Sequence, residues 1–429
     1  MTPVGRLAAA ETAQRQRVPG LLDAPVTLPL LGGGDDLAAH ERRYGERPRT
    51  AGRAGAQLLR TLEEIALTGR GGAHFPAARK WAAVRSAAGP AVVVANAAES
   101  EPASGKDAAL LGRRPHLVLD GLVCAAEAVG ADQLVVWLHG GDHAGHRAVE
   151  RALAERRAAG LAEPAVRLVS GPATYLSGES SAIVRGLSGG PVLPELRRLP
   201  AAARGVHGRP TLVHNVETLA RVALAARTGS EGHRPTSLLT VTAGGVRTVL
   251  EADPSWSLAA VVRAGSWGWE AEPAAVLLGG YGGVWLPWAE ASVLPVHEPA
   301  VRMAGGSLGA GVVVPLPRGA CGVAETAAIA GYLAAAGARQ CGPCLFGLPS
   351  IAGVVASMAA GTARRSDLRA LRRYLAEVDG RGACGHPDGA VRLVASMLST
   401  FADDVAAHLR GRRCAGSAYP LVVPVPAGR

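Results

Sequence analysis

The chain is nearly devoid of lysine: of its 45 basic residues only Lys80 and Lys106 are lysine, and the rest are arginine. A chain so poor in lysine is expected to keep it where a compact, flexible ammonium is wanted. Phenylalanine is almost as scarce (Phe75, Phe346 and Phe401), and aromatic residues make up 4% of the chain. A long apolar run is also missing. The longest uncharged stretch near the middle, Pro273 to Ala289, is interrupted by glycine and proline, which excludes a membrane span there. The N-terminus carries charge where a secretory leader would need an apolar core, so a cytoplasmic setting is expected. In that setting six cysteines read as free thiols or metal ligands rather than disulfides. Glycine and proline are frequent but follow no three-residue period, which excludes collagen. The net charge of +10 is spread along the chain in short clusters, so no nucleic-acid partner is expected, whereas an acidic protein partner is.

What is present is 48% hydrophobic and 429 residues long, enough for two or three packed domains. Residues 1 to about 55 are expected to be an irregular arm. Helical periodicity over 57–67 and 117–129 and helix 142–159 alternate with strands at 91–95, 133–138 and 165–169. That alternation predicts an α/β layer on a mostly parallel sheet. Near residue 235 the character changes. A hairpin at 237–251 around Gly244–Gly245, a helix at 258–264 and strands at 275–279 and 283–286 predict a small β-grasp-like module. Helical periods at 323–335, 350–358, 366–378 and 390–409 then predict a C-terminal helical bundle. The expected boundaries are 1–235, 236–316 and 317–429.

Five stretches carry candidate chemistry. Gly69-Arg70-Gly71-Gly72-Ala73-His74-Phe75-Pro76, followed by Lys80, combines glycines that bare backbone amides with cations suited to a phosphate; its bland reading is a turn between helices. Asn96-Ala97-Ala98-Glu99-Ser100-Glu101-Pro102 follows a strand directly, where α/β sheets place ligand-reading loops. Tyr175-Leu176-Ser177-Gly178-Glu179-Ser180-Ser181 opens a helix, and its serines could simply cap it. In Pro210-Thr211-Leu212-Val213-His214-Asn215-Val216-Glu217-Thr218, Asn215 and Thr218 could bind a ligand or start the next helix. Cys341-Gly342-Pro343-Cys344 with the remote Cys384 offers three thiols to a metal or cluster. His386 could complete a zinc site with them.

In this order the stretches resemble the flavoprotein subunit of respiratory complex I, the NADH:quinone oxidoreductase, and its relatives in NAD-linked hydrogenases and formate dehydrogenases. The family's GRGGAGFP stands here as GRGGAHFP. Its Asn-Ala-Asp-Glu-Gly-Glu-Pro differs here at Ala98 and Ser100, and its Tyr-x-x-Gly-Glu-Glu-Thr-Ala keeps Tyr175, Gly178, Glu179 and Ala182. Its Pro-Thr-x-x-Asn-Asn-Val-Glu-Thr keeps all but the first Asn, where His214 stands. The resemblance implies an FMN-binding α/β domain, a β-grasp soluble-ligand-binding (SLBB-type) domain and a helical iron–sulfur domain. It implies that Gly69, Arg70, Gly71, Gly72, Lys80, Asn96, Glu99, Tyr175, Gly178, Glu179, His214 and Asn215 surround FMN, with the phosphate towards Asn215 and Thr218. NAD(P)H would stack near Phe75, Glu101 and Lys80. Glu99 and Glu179 would take part in the chemistry. Electrons would leave through a cluster on Cys341, Cys344 and Cys384 to a ferredoxin-like or [2Fe–2S] partner.

Three of the departures from the family pattern bear directly on the cofactors. Ala338 stands at the first cluster-ligand position. This implies either a three-cysteine [4Fe–4S] cluster, completed by Cys321, His386, water or a partner, or a [3Fe–4S] form. Ala98 replaces the acid that helps hold the flavin, and Ala83 replaces an aromatic residue beside the adenine. The rival expectations are a non-catalytic scaffold that has lost its cofactors, and a zinc protein using Cys341, Cys344, Cys384 and His386.

Overall fold

The computed structural model describes residues 30–31, 36–196, 199–266, 271–412, 414 and 420–426. Most of the expected N-terminal arm, residues 1–29 and 32–35, lies outside the described residues. Its remainder is not irregular throughout. Helix α1 (Leu37–Tyr44) starts at Asp36, whose carboxylate accepts from the Ala39 amide. His40 of α1 reaches the buried Asp120, which also takes Arg156 and Arg227. Burial alone would raise the Asp120 carboxyl, but these three partners outweigh it and hold it below the usual aspartate range.

Helices α2 (Arg53–Glu64) and α3 (Ala77–Ser86) flank the glycine loop. They are followed by β1 (Ala91–Ala97), α4 (Lys106–Arg113), α5 (Pro115–Val129), β2 (Ala131–Leu138), α6 (His143–Ala158) and β3 (Val166–Ser170). A 3₁₀ turn at Tyr175–Gly178 leads into α7 (Ser180–Leu187), then β4 (Thr211–Asn215) and α8 (Val216–Thr228). The strands form a parallel sheet in the order β3-β2-β1-β4. Strand β1 is apolar on both faces, as an inner strand of a covered parallel sheet must be. Val93 and Ala95 enter the core under α5 and α8, while Val92 and Val94 face the smaller cluster beneath α7. Helices α5 and α8 cross at backbone distance because Gly121 has no side chain; a Cβ there would stand 1.9 Å from the Leu219 carbonyl oxygen. Strand β4 is not anticipated from the sequence, where its residues read as the lead-in to a helix.

The second sheet is mixed, in the order β6-β5-β9-β7-β8. Its strands are β5 (Ser237–Ala243), β6 (Val246–Ala252), β7 (Ala275–Leu278), β8 (Val284–Pro287) and β9 (Val312–Leu316), with α9 (Leu258–Gly265), α10 (Trp288–Ala291) and α11 (Glu298–Met303) between them. Gly244 and Gly245 both take positive φ (57° and 78°), as a two-residue hairpin turn requires. Strand β9 is not anticipated either, and it carries a proline, which central strands disfavour. The structure resolves this: β9 pairs with β5 only through Val312 and Val313, and Pro315 lies beyond that pairing, opposite Val276 of β7.

Five helices close the chain: α12 (Gly322–Ala336), α13 (Leu348–Ala359) after a π-turn at Pro343–Gly347, α14 (Arg365–Val378), α15 (His386–Thr400) and α16 (Ala402–His408). The single helix expected over 390–409 is therefore broken at Phe401. The Phe401 ring turns inward against Trp285, 5.4 Å between centroids, over the bare face of Gly322. Among the described residues no helix is long and apolar enough to cross a membrane.

Candidate functional site

The carboxyl ends of β1 and β4 lie side by side, with Asn96 registered against Asn215 and Ala95 against His214. Three loops meet above them. Asn96 donates from Nδ2 to the Gly178 carbonyl (2.9 Å), joining the loop after β1 to the turn before α7. The Arg70 amide donates to Thr218 Oγ1 (2.9 Å), joining the glycine loop to the first turn of α8. Gly71 lies over Asn215, where an added Cβ would come within 3.5 Å of the Asn215 Cβ. Gly178 fits tightly against the neighbouring loop; a Cβ there would stand 2.7 Å from the Ala98 carbonyl oxygen. Four of the five sequence motifs thus converge on one crevice at the carboxyl edge of a parallel sheet, the place where open α/β sheets bind ligands.

The charge balance of the crevice is uneven. Lys106 is neutralised: its ammonium lies 2.6 Å from Asp107 and 3.2 Å from Glu217. Burial would lower its pKa, but the two carboxylates outweigh burial and hold it above the ordinary lysine range. Lys80 differs. Its ammonium donates to the Val213 carbonyl (3.0 Å), and burial, with no opposing carboxylate, lowers its pKa. Arg70 donates to Ser237 Oγ (3.1 Å), and its buried Nε has no hydrogen-bond partner. Burial, then the nearby Arg221, brings Arg70 down to about 10. Neither Lys80 nor Arg70 forms an ion pair with a described carboxylate. Two partly buried cations beside a glycine loop, one with an orphaned N–H, are a donor set that fits an anionic ligand such as the phosphate of FMN. A small cleft open to solvent lies beside this loop, lined among others by Arg70, His74, Lys106, Glu217 and Ser237.

Other expected site residues are placed as follows. Glu99 accepts from the amides of Asp107 and Ala108 and from Ser104 Oγ, so it caps α4. Glu179 accepts from the amides of Ser181 and Ala182 and so caps α7. Both carboxylates therefore fix loops of the crevice. His214 is buried, and its Nε2 accepts from Trp81 Nε1 (2.8 Å). Burial and then the neighbouring Lys80 hold its imidazole far below the usual histidine range, so it is neutral. Asn215 Oδ1 caps α8 through the Glu217 amide, while its Nδ2 binds Asp107. Phe75 stands half exposed on the glycine loop, between Gly72 and Lys80 in the chain. His74 holds φ at 48°, where the family pattern has glycine; this region costs a side chain about 1–2 kcal/mol.

Glu101 sits deeper. Its Oε2 accepts from the Tyr175 hydroxyl and the Tyr281 amide, both at 3.1 Å, and its Oε1 is buried without a partner. Burial pushes its pKa up to about 7. Below the ordinary value of 4.5 both folded and unfolded chains carry the proton. Between 4.5 and 7 only the folded chain keeps it, so folding stability falls as pH rises; above 7 the cost is constant. Glu101→Gln should remove this slope. The stability of the variant relative to the native chain should rise by roughly 3 kcal/mol from about pH 4 to about pH 8, read by urea unfolding at each pH.

Tyr175 connects the crevice to the cysteines. Its ring packs on Tyr332 (5.6 Å) and on His386 (5.5 Å), and Tyr332 packs in turn on Tyr281 (5.8 Å). Nothing in the sequence pattern singles out Tyr281 or Tyr332, which come from remote elements. Beyond them lie Cys341, Cys344 and Cys384, all free thiols. They are close enough that burial, with Glu179 of the crevice and the other two thiols contributing, raises Cys384 to about 11. Cys344 Sγ accepts from the Arg339 amide (3.4 Å), and Gly337 leaves it room, since a Cβ there would stand 2.5 Å away. Three thiols near enough to act on one another electrostatically, one with an amide donor, are the kind of ligand set a cluster held by three cysteines needs. Of the candidate fourth ligands, Cys321 is corrected and His386 keeps only its Nδ1. His386 Nε2 donates to the Leu333 carbonyl (2.8 Å), so a metal could reach only the Nδ1 side of this ring. Cys321 caps the opposite end of α12, roughly 24 Å from Gly337 along the helix axis, and touches His408 instead.

Comparison with known proteins gives a consistent answer. Residues 62–224 match the family model described as the Nuo51 FMN-binding domain, and residues 324–408 match the NADH-ubiquinone oxidoreductase-F iron-sulfur binding region. The second F-type subunit of the NADH-quinone oxidoreductase of Rhizobium meliloti is 30% identical over 379 residues, covering 83% of this chain and 90% of the relative. The corresponding F-type protein of Streptomyces coelicolor is 28% identical over 412 residues, covering 89% of each. Among solved structures, the NAD+-reducing [NiFe]-hydrogenase in its H2-reduced state superposes with a TM-score of 0.78 at 25% identity, over 95% of this chain and 73% of the hydrogenase chain. A ligand crevice at the carboxyl edge of the first sheet, three clustered thiols and these relatives agree: the chain belongs to the family of F-type NADH-quinone oxidoreductase subunits.

Proposed function

We propose that the chain is a flavin-dependent electron-transfer subunit that moves electrons between NAD(P)H and a one-electron carrier. The observation that carries this reading is the pairing of two cations that form no ion pair with a described carboxylate at the crevice with three free thiols beyond Tyr175. When bound, FMN supplies the conversion of a two-electron hydride donor into one-electron steps. The residues of the chain bind, orient and insulate. Arg70, Lys80 and the amides of Gly71 and Gly72 hold the anionic end, with Asn215 and Thr218 fixing the loops beneath it. Phe75 and Lys80 receive the nicotinamide nucleotide, and Tyr175 and Glu101 close the far wall. Glu99 and Glu179 act by holding the amides of α4 and α7 in place. Cys341, Cys344 and Cys384 hold a [4Fe–4S] or [3Fe–4S] cluster.

On this reading the second sheet is a β-grasp soluble-ligand-binding domain (236–316), the helical region (317–429) is the iron–sulfur domain, and the FMN domain ends near 235. A ferredoxin-like or [2Fe–2S] protein receives the electrons, in keeping with the surplus of arginine, and the protein works in the cytoplasm. The test is anaerobic purification with flavin, iron and acid-labile sulfide analysis. One FMN and three to four iron atoms per chain are expected, and a chain holding neither would be the scaffold alternative. Ala338→Cys should convert the cluster to four-thiolate ligation. A protein isolated in the [3Fe–4S] form shows its EPR signal when oxidised; the variant should show its signal only after dithionite reduction.

A further inference from the structure

A second group of metal-ligand atoms lies at the other end of α12, away from the cysteines assigned to the cluster. Cys321 caps α12, His408 ends α16, and Cys414 follows six residues beyond it. One ring nitrogen of His408 and the sulfurs of Cys321 and Cys414 all lie within 4.8 Å of one another. The Cys321 Sγ to His408 Nε2 separation is 3.5 Å. For a tetrahedral zinc ion with Zn–S near ~2.3 Å and Zn–N near ~2.05 Å, the sulfur and nitrogen would stand about 3.5 Å apart. His408 is fully buried. A buried imidazole with one thiol on its Nε2 and a second thiol within reach of the ring has the chemistry of a ligand rather than of a packing residue.

We propose that Cys321, His408 and Cys414 bind a zinc ion, with water in the fourth position. On binding, both thiols release their protons to solvent, and the two thiolates balance the charge of the dication. The ion fastens the segment after α16 to the start of α12. That segment is held a second time on the same helix, where the Val422 and Val423 amides donate to the Glu325 carboxylate (2.9 and 3.1 Å). The metal thus acts as a structural clasp for the C-terminal strap, separate from the electron path.

The experiment uses the full chain, purified anaerobically with its flavin and cluster, dialysed against equimolar zinc and then against buffer. Metal analysis should find about one zinc per chain in addition to iron, and X-ray absorption at the zinc edge should show two sulfur ligands and one imidazole. Cys321→Ser and Cys414→Ser should each lose that zinc while keeping iron and flavin. Cys344→Ser should keep it, which separates this site from zinc trapped in an empty cluster site. Absence of zinc from the native protein would overturn the proposal. So would zinc retained in both variants, a zinc shell without sulfur, or a Cys321–Cys414 disulfide found by peptide mapping of the anaerobic sample. The absorption spectrum is read on the native chain, so a variant that fails to fold leaves the proposal open to refutation.

Discussion

Replacing Cys344 with alanine should remove iron and sulfide from the protein while leaving its flavin in place. Cys344 is the most deeply buried of the three clustered thiols, 4% exposed, and it accepts a backbone hydrogen bond from Arg339. Its neighbours Cys341 and Cys384 are partly exposed, and two thiols cannot hold a cluster to which the family pattern gives four. Electron delivery from NADH to a protein acceptor such as ferredoxin should fall by about two orders of magnitude or more; loss of even an outer-shell partner costs about 10–100-fold. Reduction of a small artificial acceptor that draws electrons from the flavin itself should be retained within a few-fold. Stopped-flow absorbance with both acceptors checks this. Equal loss of the two activities would mean that Cys344 supports the fold rather than the electron path.

Gly178→Val should cost FMN binding about 100-fold, or about 2.7 kcal/mol at roughly 1.4 kcal/mol per decade. At this position the Cβ would meet a backbone oxygen, that of Ala98, at 2.7 Å, with the Ser100 hydroxyl at 3.4 Å. Backbone cannot swing aside as a flexible side chain can, so the loop after β1 and the turn before α7 must part. The Asn96 to Gly178 hydrogen bond that joins them should break as well. The rest of the fold does not depend on this contact, since the cores under α5 and α8 and within the second sheet lie elsewhere. Fluorescence titration of FMN into the apoprotein measures the loss, and unchanged far-ultraviolet circular dichroism with retained iron shows that it is local. An affinity within three-fold of the native chain would remove Gly178 from the cradle.

The alternation of strand and helix in the first half of the chain is readable because a doubly covered parallel strand must be apolar on both sides, as Val92 to Ala95 are. The order of the glycine loop and the Asn96, Gly178 and Asn215 motifs can be read for the same reason that they converge: each sits just past a strand end or at a helix start. What the sequence hides is long-range. Tyr281 and Tyr332 join the site through ring contacts between elements far apart in the chain. Cys321 stands as a cluster ligand only while the length of α12 is ignored; the helix carries it to the opposite end, beside His408 and Cys414. Lys80 and Lys106 look equivalent as rare lysines, yet one is buried between two carboxylates and the other has none. The distinction depends on which carboxylates the fold brings near, and no local spacing encodes it. Phe401 fits the helical period and still ends a helix, because its ring finds Trp285.

The central claim is that the carboxyl-edge crevice, bracketed by Arg70 and Lys80, holds FMN through its phosphate. It is tested most directly by titrating the flavin-free protein with FMN and with riboflavin under anaerobic conditions, followed by addition of NADH. The account predicts saturation at one FMN per chain, at least tenfold weaker binding of riboflavin from loss of a charge-assisted contact worth about 1.5–3 kcal/mol, and bleaching of the flavin absorbance by NADH. Equal affinity for the two flavins, or no saturable binding of either, would contradict it.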